Sequence, residues 1–157
     1  MGLFIREPEK FESTLANLRK GRKVVFTNGV FDLLHVGHIR YLQEARALGD
    51  MLVVGLNADV SVQRIKGPTR PLQNENERME ILAALACVDL TTLFSADTPE
   101  QLIQRVRPDV LVKGGDWPVE KIVGAQYVMS YGGEVRTLQF VDGRSSTRLI
   151  DKMNSSN

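Results

Sequence analysis

Four short apolar runs, VVFT at 24–27, MLVVGL at 51–56, LTTLF at 90–94 and DVLV at 109–112, recur along the chain with helix-length segments between them. They are rich in β-branched and aliphatic residues and show little of the polar alternation of a half-exposed strand. Each therefore predicts a strand covered on both faces. Strands that alternate with helices fold as a parallel sheet, and right-handed crossovers make that sheet doubly wound. The expected fold is α/β and Rossmann-like, with five strands at Lys23–Thr27, Met51–Leu56, Asp89–Phe94, Asp109–Val112 and Glu134–Val141.

The segments between the runs carry helix signals. Pro8 suits a first helical turn, Phe11, Leu15 and Leu18 follow at helical spacing, and Gly21 stops that helix. A helix over Gly37–Leu48 ends at Gly49, and a short one is expected over Val60–Ile65. Asn74 or Asn76 caps a helix running through ERMEILAALACV to Val88. Asp97 or Thr98 caps another with Pro99 at its first position, Val119–Tyr131 forms a helix closed by Gly132-Gly133, and Ser145–Met153 closes the chain. The 157 residues suit a single domain: an N-terminal helix over 1–21, a core over 22–153 and a frayed tail at 154–157.

Charge and composition narrow the function. A net charge of +1 argues against a broad nucleic-acid or membrane surface, which needs a basic excess. No apolar run approaches the length of a membrane span, and the N-terminus has no signal-peptide pattern, so a cytoplasmic protein is expected. Cys87, the single cysteine, sits in ILAALACV and reads as a buried structural thiol.

In doubly wound sheets ligands bind beyond the carboxyl ends of the strands, where strand order reverses. Functional residues are thus expected just after strands, within Thr27–His38, Asn57–Arg70, Lys113–Trp117 and Asp142–Arg148. The stretch TNGVFDLLHVGH holds both histidines of the chain, His35 and His38, with Gly37 between them. If a helix starts near Val36, both imidazoles lie on one face of its first turn. There, unpaired backbone N–H groups and the positive end of the helix dipole favour anions. Gly37 leaves room for a bulky anion to approach the backbone. From spacing alone, a phosphate site competes with a weak metal site, a core histidine pair and a chance pair.

The segment TNGVFDLLHVGHIRYLQEA resembles the signature of the H-x-G-H nucleotidyltransferase superfamily, and GRSSTRLI resembles its second motif. The stretches RIKGPTRPLQNENERMEILAAL, DTPEQLIQRVRPDVLVKGGDW and GGEVRTLQFVDGRSST are together similar to the bacterial heptose 1-phosphate adenylyltransferases, over nearly all of residues 22–153. In that family the activity is free-standing or joined to a sugar kinase, and this chain resembles the free-standing form. The resemblance implies transfer of AMP from ATP to D-glycero-β-D-manno-heptose 1-phosphate, giving ADP-heptose and pyrophosphate for lipopolysaccharide and other surface polysaccharide. The arginine that follows Ser145-Ser146-Thr147 is closer to cytidylyltransferases and to the free-standing members. This keeps open CTP as the nucleotide, with glycerol 3-phosphate or a related alcohol phosphate as acceptor.

The resemblance also implies roles. His35 and His38 hold the α- and β-phosphates, and Lys66 and Arg70, in the loop KGPTRP, close over them. Asn28, Gly29, Val30, Phe31 and Gly37 lie against the nucleotide, as do Lys113, Gly115 and Asp116. Ser145, Ser146, Thr147 and Arg148 serve the phosphates from a late helix start. Mg²⁺ is expected, bound mainly through phosphate oxygens rather than by protein ligands. A homo-oligomer, dimer or higher, is expected. Asp32 reads as a turn aspartate tying down its own backbone. Arg78 reads either as a residue reaching the site or as the polar face of an amphipathic helix. Trp117 reads either as a stacking wall or as packing.

Overall fold

A computed structural model of the chain describes residues 1–139. Six strands, β1 (Leu3–Phe4), β2 (Val24–Gly29), β3 (Met51–Asn57), β4 (Leu90–Phe94), β5 (Val110–Gly114) and β6 (Glu134–Leu138), form one parallel sheet in the order β1-β4-β3-β2-β5-β6. The helices are α1 (Pro8–Leu18), α2 (Val36–Arg46), α3 (Asp59–Lys66), α4 (Glu75–Ala84), α5 (Glu100–Val106) and α6 (Ala125–Ser130). The doubly wound fold is the expected one. Strand order runs outward from β2 through β3 to β4, then returns to place β5 on the other side of β2. The reversal lies between β2 and β5, which pair at Val25↔Val110 and Phe26↔Leu111.

The sheet separates two apolar layers. Phe26, Val53 and Leu111 pack beneath Phe11 and Leu15 of α1 and Ile103 of α5 on one face. Val25, Val54 and Val112 pack beneath Tyr41, Leu42 and Ala45 of α2 and Met79 and Leu82 of α4 on the other. This burial on both faces explains the unbroken apolar runs. At the amino edge of the sheet, carboxylates take the strand-start N–H groups. Asp109 accepts from Val24 at 2.7 Å, Asp89 from Leu52 at 2.8 Å and Asp50 from Lys23 at 2.7 Å.

Several expectations are corrected. The sheet has six strands rather than five, because Leu3 and Phe4 add to the open edge of β4 at Leu3↔Leu90 and Phe4↔Thr91. Two exposed residues are too short to carry a sequence period. Helix α4 is capped by Asn74, whose side chain accepts from Asn76 and Glu77 N–H in a capping box, but it stops at Ala84 rather than Val88. Leu85 turns extended so that Asp89 N–H can reach the Leu52 carbonyl and start β4. Pro99 is the N-cap residue of α5 rather than its first helical residue. Cys87 is only half-buried, at the rim of the α2–α4 layer, and partial desolvation raises its thiol pKa. The helix expected over Val119–Tyr131 is broken into a single 3-10 turn, Val119–Lys121, and α6.

Gly124 makes that break. It sits at φ +82°, and a Cβ there would lie 2.7 Å from Ile103 Cδ1 of α5. The chain turns through a left-handed residue at the point of closest approach to α5. Gly124→Ala is expected to lower stability by about 1–2 kcal/mol from the left-handed backbone alone, with more from the crowding. Urea denaturation measures this. An unchanged midpoint would show that neither the φ nor the contact matters.

Candidate active site

β2 delivers the chain to the switch point, and the turn after it builds the site. The chain passes Gly29 and Val30, takes a positive φ of 46° at Phe31 and reaches His35, the N-cap residue of α2. The close approach at Gly29 has a local cause, since a Cβ there would sit 2.8 Å from the Phe31 ring. Phe31 is buried and meets the His38 imidazole edge-on, with centroids 5.3 Å apart. The His35 and His38 rings stack at 3.9 Å and 24°. Gly37 is buried in the first turn between the two positions, where the His38 and Ile39 N–H groups donate back to the His35 carbonyl at 2.9 and 3.2 Å.

The charges around this turn are basic. Burial, then His35, then Lys66 push the His38 pKa down to about 4, so its imidazole is neutral near pH 7. Burial first, and then Arg70, lower the Lys66 pKa, while Asp32 opposes the shift. His35 and His38 from the start of α2 and Lys66 and Arg70 from the KGPTRP loop are thus one cluster. The His38 Nδ1 and Arg70 Nη2 atoms are buried without a hydrogen-bond partner among the described residues. Buried polar atoms left so are costly, and an anion bound at this turn would satisfy them.

Asp32 holds the loop. Its side chain is 1% exposed and accepts from Arg70 Nε at 2.7 Å, from Leu72 N–H at 2.9 Å and from Gln73 N–H at 3.1 Å. The expectation that it ties down its own backbone is corrected, for it ties the backbone forty residues further on. Arg70 is likewise anchored at its Nε, and its Nη2 is the atom left buried without a partner among the described residues.

Sequence reasoning left Arg78 open between the site and a helix surface, and it is neither. It is 1% exposed, donating from Nη1 to the Val30 carbonyl at 2.7 Å, from Nε to Gln73 at 2.9 Å and from Nη2 to Asp59 at 2.6 Å. A signal was present. The capping box fixes the phase of α4 and puts position 78 four residues before the inward-facing Leu82.

The remaining expected residues divide by face. Side chains alternate along a strand, so Asn28 shares the face of Phe26, and Lys113 that of Leu111, away from α2. Asn28 and Lys113 border one cavity with Trp117. Gly115 has a φ of +102° and gives its N–H to the Leu138 carbonyl at 2.9 Å, while Asp116 beside it is exposed. The Val30 carbonyl is taken by Arg78. Ser145, Ser146, Thr147 and Arg148, the helix Ser145–Met153 and the end of the last expected strand lie outside the described residues. Among the described residues no group of three or more His, Cys, Asp or Glu side chains could hold a metal ion, and no helix is long and apolar enough to cross a membrane.

Comparison with known proteins agrees with this geometry. The family model described as cytidylyltransferase-like matches residues 26–151. The chain is 60% identical over 137 residues to the bifunctional protein HldE of Citrifermentans bemidjiense, and 58% identical over 135 residues to that of Syntrophotalea carbinolica. These alignments take in 87% and 86% of this chain but 28% of each relative's length. Among solved structures, the lipopolysaccharide core biosynthesis protein from Thermoplasma volcanium is 33% identical with a TM-score of 0.61, covering 77% of this chain and 98% of that one. A pantoate-beta-alanine ligase from Francisella tularensis shares the fold, at a TM-score of 0.65 and 18% identity over 94% of this chain and 69% of that one. With the match running from Phe26, within β2, through the histidine turn to residue 151, the chain belongs to the cytidylyltransferase-like family of nucleotidyltransferases.

Proposed function

We propose that this chain is a heptose 1-phosphate adenylyltransferase, moving AMP from ATP to D-glycero-β-D-manno-heptose 1-phosphate and releasing pyrophosphate. The observation that carries the reading is the stacked histidine pair at the start of α2, faced by Lys66 and Arg70. The high identity to HldE proteins and the likeness to a lipopolysaccharide core biosynthesis protein support the sugar as substrate class. The product would be ADP-heptose, suited to surface polysaccharide synthesis in the cytoplasm.

The chemistry asks little of a base. A phosphate monoester has its second pKa at roughly 6, so the acceptor oxygen is already ionised near neutral pH. It attacks the α-phosphorus, a new P–O bond forms, and the bond to the bridging oxygen breaks as pyrophosphate leaves. The protein's task is to bring anions together and to stabilise charge on the bridging and leaving oxygens. A neutral His38 enters as an N–H donor, and a bound polyphosphate favours its protonation. Lys66 and the free end of Arg70 add positive charge from the loop. Mg²⁺ would arrive on the phosphates and neutralise part of their charge. The described donor set fits that arrangement, because both Asp32 oxygens are already occupied by the loop.

Pyrophosphate release, crossing ATP and CTP against heptose 1-phosphate and glycerol 3-phosphate, tests the reading. Release is expected from ATP with the heptose, whereas release from CTP with glycerol 3-phosphate would keep the chemistry and overturn the substrate. His38→Ala is expected to cut kcat by about 10²–10³ with the fold retained. Normal turnover would remove the donor role. Lys66→Ala should lower kcat more than it raises the KM for nucleotide, since a loop contact completed in the transition state acts on rate. The reverse pattern would assign Lys66 to ground-state binding.

The His38 shift also predicts a pH effect on stability. With a folded pKa of about 4 against 6.5 unfolded, the unfolded chain takes up the proton first. Stability from this group is complete above pH 6.5 and is lost as the pH falls toward 4. The urea midpoint of the wild type should therefore drop more between pH 7 and pH 4.5 than that of His38→Gln. Parallel curves would contradict the shift.

A further inference from the structure

We infer that Arg6 and Glu75 are positioning residues for Lys66: the N-terminal arm holds the Glu75 carboxylate, and that carboxylate caps α3 and sets where its last residue stands. The inference rests on the transferase reading above, in which Lys66 acts on the phosphates, and adds two residues that touch no substrate.

Helix α3 lacks a cap of its own. Its N-cap residue is Ala58, which has no side-chain acceptor for the first N–H groups. Glu75, the first residue of α4, supplies one from outside, its Oε2 accepting from Asp59 N–H at 2.9 Å. One carboxylate thereby serves the positive ends of two helices. Asp59 also meets a second anchor, since its Oδ1 accepts from Arg78 Nη2.

Apolar packing does little to fix α3. Val62 is its one buried apolar residue, while Val60 and Ile65 are 51% and 57% exposed. Ser61 is buried and accepts from Asn57, and Arg64 reaches Asp97 and the Ser95 carbonyl at the surface. The placement of the helix therefore depends on polar contacts, and those at Asp59 lie at the end opposite Lys66. Lys66 stands seven residues beyond Asp59, about 10 Å along the axis. A tilt of about 6° at the start moves that end by about 1 Å. A misplacement of this size can cost up to about 10²-fold in rate.

The other Glu75 oxygen belongs to the N-terminal arm. Oε1 accepts from Arg6 Nη2, and Arg6 Nη1 donates to Asn76 Oδ1. The backbone that carries Arg6 is itself held. Gly2 N–H donates to the Ala83 carbonyl at 2.8 Å, and Leu3 and Ile5 donate to the Asp89 and Thr91 carbonyls at 2.9 Å. Ile5 is buried, and a Cβ at Gly2 would lie 2.2 Å from the Val88 carbonyl oxygen, so the arm has one seat against β4 and α4. From that seat the contacts run without a gap: Arg6 to Glu75, Glu75 to Asp59, Asp59 to Arg78, and Arg78 to the Val30 carbonyl ahead of the histidines. The arm, α3 and the histidine turn are thus joined by side chains that stand outside the phosphate cluster.

Steady-state kinetics and amide exchange on the full chain test this. Glu75→Ala is expected to lower kcat about tenfold with the KM for ATP within about twofold. Glu75→Gln keeps an oxygen for Asp59 N–H and should stay within about threefold of the wild type. Arg6→Ala, the loss of a half-exposed partner, should lower kcat about two- to threefold. Combining Glu75→Ala with Lys66→Ala separates positioning from general loosening. If Glu75 acts through Lys66, the double variant is slower than Lys66→Ala by no more than about twofold. Full multiplication of the two effects, or equal damage from Glu75→Gln and Glu75→Ala, would overturn the inference with the activity intact. Amide exchange reads the same contact without substrate. Glu75→Ala should speed exchange in α3 about tenfold, at Gly67 N–H among others, and leave β2 and β3 as in the wild type. Unchanged exchange in α3 would also overturn the inference. A wild type that releases no pyrophosphate from any pairing would overturn the transferase reading instead, and the exchange rates would then decide the capping role alone.

Discussion

The Arg78 guanidinium holds the site together. Its three hydrogen bonds run to the turn after β2, to the end of the KGPTRP loop and to the first residue of α3. These segments carry Phe31 and the histidines, Arg70, and Lys66. They are far apart in sequence and have no common strand or helix. A planar fork with five fixed donors can orient three acceptors at once, which a lysine cannot. The buried charge is stable only because each donating nitrogen is satisfied and Asp59 balances it. Losing one partner of such a buried pair costs about 3–5 kcal/mol. Arg78 touches no expected substrate, yet the mutual positions of the groups that do depend on it.

Asp32 does the complementary work. Its carboxylate is almost wholly buried, and it fixes one end of Arg70 and two backbone N–H groups of the same loop. The loop is therefore docked against the histidine turn before any ligand arrives. Docking concentrates like charges. Burial depresses both His38 and Lys66 most, and like charge adds to it, from His35 and then Lys66 at His38 and from Arg70 at Lys66. Burial and repulsion together disfavour the charged forms in the free site, and a bound anion would offset both. Part of the binding energy of the anion is thus set by the protein's own arrangement of charge.

Much of this was legible in the sequence because the relevant signals are local. The runs at Val24, Met51 and Leu90 are buried on both faces, so their composition alone marks them. The histidine turn follows from where such a strand ends and from the spacing of His35, Gly37 and His38. What was not legible depends on distant partners. Nothing in VFD says that Asp32 will meet Leu72, and nothing in NENER says that Arg78 will be buried beneath Val30. Leu3 and Phe4 become a strand only because β4 offers them an edge. Gly124 breaks a helix that its neighbours favour because Ile103, from another helix, occupies the space its side chain would need. In each case tertiary packing overrode a local preference.

The sheet also divides charge between its two ends. At the amino edge, Asp50, Asp89 and Asp109 accept strand-start N–H groups, and Arg22 and Arg46 in turn pair with Asp89. That edge is saturated, and its polar groups are committed to the fold. At the carboxyl edge the balance is reversed. Lys66, Lys113 and the far end of Arg70 are positive groups whose partners among the described residues are incomplete or absent. The charges at one end are paired within the fold, and those at the other are not fully paired among the described residues. A parallel sheet makes this division possible because all of its strands begin at one edge and finish at the other.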